Sequence, residues 1–316
     1  GVLLLGSATP SVVSYYRVGQ GIYKLLTLNK RYNSTPLPKI EIADMRAELK
    51  EGNTTIFSRT LFEAIGEELK AGRQCILLQN RRGYANFVSC RECGNVIKCP
   101  ECGISLTYHK SQEKLICHYC GRKFQVPKTC PECGSSYIKS FGIGTEQVEE
   151  AVNRFFPEAT TDRLDIDALK TRRDLDRIIE KFSSGKTNIL IGTQLIAKGL
   201  DFENVGLVGI IAADSGLNIP DYRSAERTFQ LITQAAGRAG RRDRRGRVII
   251  QTYQPENFAL KNAAFHDYGG FYRQEIKLRK LMDYPPFTDM IMVNFTAEDE
   301  KIALSTGERC KRYMEN

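Results

Sequence analysis

No apolar run in these 316 residues is long enough to cross a membrane. The longest near the N-terminus is Val2 to Leu5, against the ~20 residues a spanning helix needs, and no basic flank marks it as a signal peptide. Low-complexity tracts and long repeats are also missing. Hydrophobic residues make up 41% of the chain, too many for a disordered one. No G-x-x-x-x-G-K-S/T phosphate-binding segment occurs, nor an Asp-Glu-x-His-type box to hold Mg²⁺. Ser184-Gly185-Lys186-Thr187 resembles the end of such a segment, but Glu180 stands where its first glycine belongs. The stretch also follows a helix pattern and precedes a strand pattern, the reverse of a P-loop, so it reads as a helix-ending turn. The chain opens on Gly1, not Met, directly on a strand-like run, and we expect it to be cut from something longer.

Cysteine is what the chain has in excess. Eight of its ten cysteines form four Cys-x-x-Cys pairs: Cys90/Cys93, Cys99/Cys102, Cys117/Cys120 and Cys130/Cys133. A secreted disulfide framework spreads its cysteines along the fold, so this clustering predicts a cytoplasmic, metal-binding module. Each pair is followed at once by glycine (Gly94, Gly103, Gly121, Gly134), which suits a tight turn with positive φ and N–H groups offered to thiolates. A tetrahedral Zn²⁺ takes four sulfurs, so eight make two closed, structural sites. Redox dithiols are the alternative, but a redox protein needs one such pair, not four. Four knuckles can combine in three ways. The Cys99-x₂-Cys102-x₁₄-Cys117-x₂-Cys120 spacing favours a nested pairing, with Cys90, Cys93, Cys130 and Cys133 as the outer site. His118 lies between two ligands and is expected outside the coordination shell, since sulfur completes the count.

Charge follows from the same module. Lys+Arg minus Asp+Glu is 46 − 37 = +9. Two Zn²⁺ on eight thiolates change this by −8 + 4 = −4, to about +5. Gly237 to Arg247 alone holds six arginines and one aspartate, net +5, so the basic character is local. Arg242, Arg244, Arg245 and Arg247 are candidates for a phosphate-backbone patch.

Around the module the patterning is α/β. Val2–Leu5, Ile40–Met45, Cys75–Gln79, Ile189–Gly192, Val205–Ala213, Gly246–Tyr253 and Asp289–Phe295 read as strands. Ser58, Thr145 and Thr171 can each cap a helix. Phe62, Ile65 and Leu69 share a face of the first, Val148, Val152 and Phe155 of the second, and Leu175, Ile178, Ile179 and Phe182 of the third. Residues 26–55 look like a connector. Residues 224–237 are helical, and residues 256–282 are helical with a break at Gly269-Gly270. Alternating strands and helices imply a parallel sheet with helices on both faces.

Three polar stretches each follow a strand. Gln79-Asn80-Arg81-Arg82-Gly83-Tyr84 pairs two arginines with an aromatic, suited to a phosphate backbone and a stacked base. Gly192-Thr193-Gln194-Leu195-Ile196-Ala197-Lys198-Gly199-Leu200-Asp201-Phe202 places small polar groups and a carboxylate where open α/β sheets bind ligands. Gln234-Ala235-Ala236-Gly237-Arg238-Ala239-Gly240-Arg241 sets two arginines three apart on one helical face, and a guanidinium suits a γ-phosphate in its transition state.

These stretches resemble motifs IV, V and VI of superfamily 2 helicases, and Gly6-Ser7-Ala8-Thr9-Pro10 resembles motif III. With the eight-cysteine insert, Gly142-Ile143-Gly144-Thr145-Glu146 and Pro220-Asp221-Tyr222-Arg223-Ser224-Ala225-Glu226-Arg227, nearly the whole chain resembles the primosomal protein N′ (PriA) family of replication-restart helicases. The resemblance implies a RecA-like helicase lobe with an inserted zinc-ribbon-like module, followed by the start of an α+β C-terminal domain. It divides the chain into the end of motor lobe 1 (1–36), the start of lobe 2 (37–88), the two-zinc module (89–138), the rest of lobe 2 (139–255), and a helical connector entering the C-terminal domain (256–316). It makes Arg238 and Arg241 arginine fingers, with Gln234 near the nucleotide and Gly199 and Asp201 at the ATP cleft. Ser7, Thr9, Arg81, Arg82, Thr193, Gln194 and Lys198 then line a DNA track. The implied activity is 3′→5′ ATP-dependent unwinding with ATP and Mg²⁺. The implied partners are forked and single-stranded DNA, other primosome proteins and single-stranded DNA-binding protein, with no membrane. The chain alone is expected to be inactive, lacking a P-loop. The competing reading is a non-catalytic zinc-ribbon DNA-binding or scaffold protein.

Overall fold

The computed structural model describes residues 1–28, 36–79, 87–109, 112–140, 142, 144–165, 169, 171–193, 202–240, 246–291, 293, 295–297 and 299–315. In chain order these include α1 (Val12–Gly19), β1 (Lys39–Asp44), α2 (Met45–Lys50), α3 (Arg59–Lys70), β2 (Gln74–Leu78), β3 (Val88–Cys90), β4 (Thr107–His109), β5 (Lys114–Ile116), β6 (Lys123–Gln125) and β7 (Ile138–Ser140). Next come α4 (Thr145–Phe155), β8 (Thr161–Leu164), α5 (Arg172–Ser183), β9 (Ile189–Gly192), β10 (Val205–Ile210), α6 (Asp214–Leu217) and α7 (Ser224–Ala236). The last are β11 (Arg247–Thr252), α8 (Phe258–Ala264), α9 (Tyr268–Leu281) and α10 (Glu300–Met314). Among the described residues no helix is long and apolar enough to cross a membrane.

Six strands form one parallel sheet in the order β1-β11-β10-β2-β9-β8. Its inner strands are apolar at nearly every position because both faces are covered. Successive side chains alternate between two cores. Ile76, Leu78, Leu190, Val208, Ile210, Val248 and Ile250 face one side, where Ile178 and Phe182 of α5, Phe229 and Ile232 of α7, Leu260 of α8 and Phe271 of α9 cover them. Cys75, Leu77, Ile189, Ile191, Leu207 and Ile249 face the other, against Leu61 and Ile65 of α3 and Val148 and Val152 of α4.

Ser58 caps α3 by accepting the Leu61 N–H at 3.2 Å, and Thr171 caps α5 with Asp174 reaching back. Gly185, at φ +76°, ends the α5 turn just before β9, so Ser184–Thr187 is the turn its position predicts.

Five expectations change. Val2–Leu5 form no strand and are exposed; an apolar run becomes a strand only where a neighbour pairs its N–H and C=O groups, and none does here among the described residues. The described part of Asp289–Phe295 carries no strand for the same reason. Thr145 is not the cap of α4; Gly144 holds that place, and the buried Thr145 hydroxyl donates to Asp165 at 2.6 Å. The break after α8 falls at Phe265–Asp267, where His266 takes φ +54°, while Gly269 and Gly270 lie in the first turn of α9. Within the supposed connector, β1 is an edge strand of the main sheet and α2 follows it.

Phe229 is buried and stacks on Phe271 at 4.4 Å, joining α7 to α9. Phe229→Ala is expected to cost about 3–5 kcal/mol of stability. A shift of the urea midpoint at unchanged slope measures it, and a shift under about 1 kcal/mol contradicts this packing account.

Candidate metal centres and motor-motif residues

The cysteine module leaves the sheet after β2 and returns before α4, its two ends closed by the antiparallel pair β3–β7, with Val88 opposite Ser140. Its four knuckles repeat one geometry. The N–H of each glycine donates to the carbonyl of the pair's first cysteine at 2.9–3.0 Å, and that cysteine's own N–H donates to the carbonyl five residues on at 2.8–3.0 Å. All four glycines have positive φ, between 65° and 79°. Glycine thus makes the turn, while the sulfurs receive other N–H groups: those of Tyr119 and Cys120 reach Cys117, and those of Glu132 and Cys133 reach Cys130.

The knuckles come together as two clusters, Cys90, Cys93, Cys130 and Cys133, and Cys99, Cys102, Cys117 and Cys120. Sulfur separations are 3.7 Å for Cys90–Cys133, 3.6 Å for Cys93–Cys130 and 3.7 Å for Cys99–Cys120. A disulfide is about 2.0 Å long. A tetrahedron of sulfurs about 2.3 Å from a central zinc has edges of ~3.8 Å, so the clusters have the size of a zinc shell. The pairing is nested, as the spacing favours.

Electrostatics point the same way. Burial raises the Cys130 thiol, but the N–H groups of Cys133 and Glu132 and the neighbouring thiols outweigh it and bring the pKa down to about 7. Burial and the adjacent thiols push Cys93 up to about 12. In the other cluster Cys99 is lowered against its burial by the Cys102 N–H and neighbouring thiols, while burial with Cys120 and Cys117 raises Cys102. Four sulfurs at this distance cannot all be anionic without a central cation, and Zn²⁺ supplies one. The residues fit two zinc ions. His118 lies outside both clusters and meets His109 at 3.1 Å, ring nitrogen to ring nitrogen.

The module is docked as well as inserted. Arg46 Nη1 donates to the Cys93 carbonyl at 3.3 Å, the Tyr284 hydroxyl to the Cys102 carbonyl at 2.6 Å, and the Tyr222 N–H to the Tyr119 hydroxyl at 3.1 Å. The Ser105 hydroxyl donates to the Asn218 side chain at 3.2 Å.

Of the motor-motif residues, Arg81, Arg82, Gln194, Lys198, Gly199, Asp201 and Arg241 lie outside the described residues, as do Arg242, Arg244 and Arg245. Thr193 is buried at the C-terminal end of β9, its N–H donating to the Leu164 carbonyl at 3.3 Å. Gln234 is exposed on the last turn of α7. Arg238 lies beyond that helix, which stops at Ala236; its N–H donates to the Ala235 carbonyl at 2.9 Å, so a turn rather than a continued helical face carries it. Ser7 Oγ accepts the Thr9 N–H at 3.1 Å, and Thr9 is buried with its carbonyl accepting from Gln230 of α7 at 3.3 Å. The helix that carries Gln234 therefore also holds the Ser7–Thr9 segment, through Gln230. Arg247, the described member of the candidate patch, donates to Glu41 and Glu67, each at 3.2 Å.

Sequence reasoning misses a buried ion group. Arg279 donates to Glu226 at 2.6 Å and to Glu275 at 2.8 Å. The Glu275–Arg279 spacing is visible in the sequence, but Glu226 lies 53 residues away and only the fold brings it in.

Residues 99–123 match the PriA DNA helicase Cys-rich region domain, and residues 140–243 match the helicase conserved C-terminal domain. A "Replication restart protein PriA" of Bacillus subtilis (strain 168) is 45% identical over 312 residues, 99% of this chain and 39% of that protein. The chain belongs to the PriA family. The PriA protein of Synechocystis sp. is 45% identical over 307 residues, 95% of this chain and 37% of its own length. That of Chlamydia trachomatis is 42% identical over 310 residues, 97% and 41%. The chain thus spans about two fifths of these PriA relatives.

Nested pairing makes a specific prediction. The chain should hold about two zinc ions. Cys99→Ser with Cys117→Ser strikes one site and should leave about one, whereas Cys99→Ser with Cys130→Ser strikes both and should leave none. Metal analysis decides, and equal losses from the two variants contradict the nesting.

Proposed function

We propose that this chain is the second motor lobe, with its zinc module, of a 3′→5′ ATP-dependent DNA helicase acting in replication restart and primosome assembly at stalled forks. The observation that carries the reading is the insertion of two nested Cys₄ clusters into a parallel-sheet lobe, in a chain that aligns with PriA proteins over nearly all its length. In this reading residues 1–36 end motor lobe 1, residues 37–88 and 139–255 make lobe 2 around the module at 89–138, and residues 256–316 lead into a C-terminal domain.

Arg238 and Arg241 act as arginine fingers, stabilising charge on a transferring γ-phosphoryl, with Gln234 beside them. Gly199 and Asp201 belong to the nucleotide cleft. Ser7, Thr9, Arg81, Arg82, Thr193, Gln194 and Lys198 belong to the DNA track. The partners are single-stranded and forked DNA, other primosome proteins and single-stranded DNA-binding protein. A non-catalytic zinc-ribbon scaffold is the second reading, favoured by the missing phosphate-binding segment.

ATP needs that segment for its phosphates and Mg²⁺, so the 316-residue chain alone should neither hydrolyse ATP nor unwind DNA. In the longer protein, Arg238→Ala should lower DNA-stimulated ATP turnover by about 10³-fold at unchanged zinc content. Steady-state ATPase assays read both. Robust turnover by the chain alone, or an unaffected Arg238→Ala, refutes the assignment.

The basic run at 241–245 should add sequence-independent affinity. Replacing Arg242, Arg244 and Arg245 with alanine should flatten the log Kd against log salt slope for single-stranded DNA by about 2. Filter-binding across a salt series measures it, and an unchanged slope removes the patch.

A further inference from the structure

Helix α7 carries glutamate and glutamine four residues apart: Glu226, Gln230 and Gln234 lie on one stripe. Its first two members grip the chain as it enters α1. Glu226 Oε1 accepts the Val12 N–H at 3.0 Å, and Gln230 Nε2 donates to the Thr9 carbonyl at 3.3 Å. The Tyr268 hydroxyl of α9 donates to the Pro10 carbonyl at 2.8 Å. Three side chains thus hold three backbone groups within four residues of chain.

Glu226 is itself held. Its other oxygen accepts from Arg279 at 2.6 Å, and Arg279, 1% exposed, also donates to Glu275 at 2.8 Å and lies over the Tyr222 ring at 5.0 Å. A buried ion group is costly to desolvate, and apolar residues of equal volume are often at least as stable. Here one Glu226 carboxylate accepts from both Arg279 and the Val12 N–H, so the group ties α7, α9 and the start of α1 together.

We propose that Glu226 and Gln230, anchored by Arg279, are positioning residues that lock the Thr9–Val12 segment to the helix whose end presents Gln234 and leads to Arg238. Displacement of the segment and displacement of the nucleotide-facing end of α7 are then one movement. This deepens the helicase reading and rests on it.

The test uses the full-length protein and reads base pairs unwound per ATP hydrolysed, a ratio that a reduced folded fraction does not move. Gln230→Leu and Arg279→Lys should each lower this ratio by roughly fivefold, as expected for breaking a coupling chain, with the KM for ATP and the zinc content unchanged. Gln230→Leu keeps both Arg279–carboxylate pairs, losing only the 3.4 Å contact from Gln230 to Glu226, and decides the matter if Arg279→Lys does not accumulate as folded protein. An active wild type with an unchanged ratio in the folded variants overturns this inference alone. A wild type that neither hydrolyses ATP nor unwinds DNA overturns the helicase reading and this inference together.

Discussion

The demand that a parallel sheet be covered on both faces organises the molecule. Parallel strands cannot be joined by tight turns, so each crossover must travel over a face, and helices are the compact way to do it. Here this gives two cores divided by the pleat: Ile76 and Leu78 look one way while Cys75 and Leu77 look the other. The faces are closed by this packing, which leaves the two ends of the strands open. Thr193, at the end of β9, and the cysteine module that follows β2 sit at the C-terminal end.

The module obeys a different rule. Its core consists of short apolar residues such as Val88, Leu106 and Leu115 together with the cysteines themselves, and a unit this small cannot bury enough surface to stay folded unaided. The sulfurs therefore do two jobs, packing as small hydrophobes and closing metal shells whose binding energy is folding energy. Tyr119, Tyr222 and Tyr284 then fix the inner site against the lobe, with Tyr222 stacked on Tyr284 at 5.1 Å.

Much of this is legible in the residues, and the misses share a physical cause. Strands β2, β9, β10 and β11 announce themselves because both faces are buried and every position is apolar. The nested zinc pairing is legible because fourteen residues between two knuckles suit one ribbon. Strand β8, Thr-Asp-Arg-Leu, is an edge strand with little to bury and looks like loop. Val2–Leu5 look like a strand and are not one, since apolarity is a property of the segment while pairing is a property of its neighbours. Arg247 reads as one of a basic run, and the fold adds what the run does not show, an ion pair with Glu41 of the neighbouring strand. Thr145 looks like a cap, yet its hydroxyl is spent on Asp165. The candidate metal residues were legible because their spacing is local. The clamp of Glu226 and Arg279 was not, because it is assembled from three distant segments.

The β3–β7 pairing at the root of the module makes it topologically separable from the lobe. It brings the two points where the module joins the lobe side by side, so the lobe's strand order is the same whether the module is there or not. A module rooted in this way can lengthen or shorten without rethreading the sheet, because only the span between β3 and β7 changes. Its docking contacts are each a single tyrosine, serine or arginine reaching across, so no strand of the lobe depends on them.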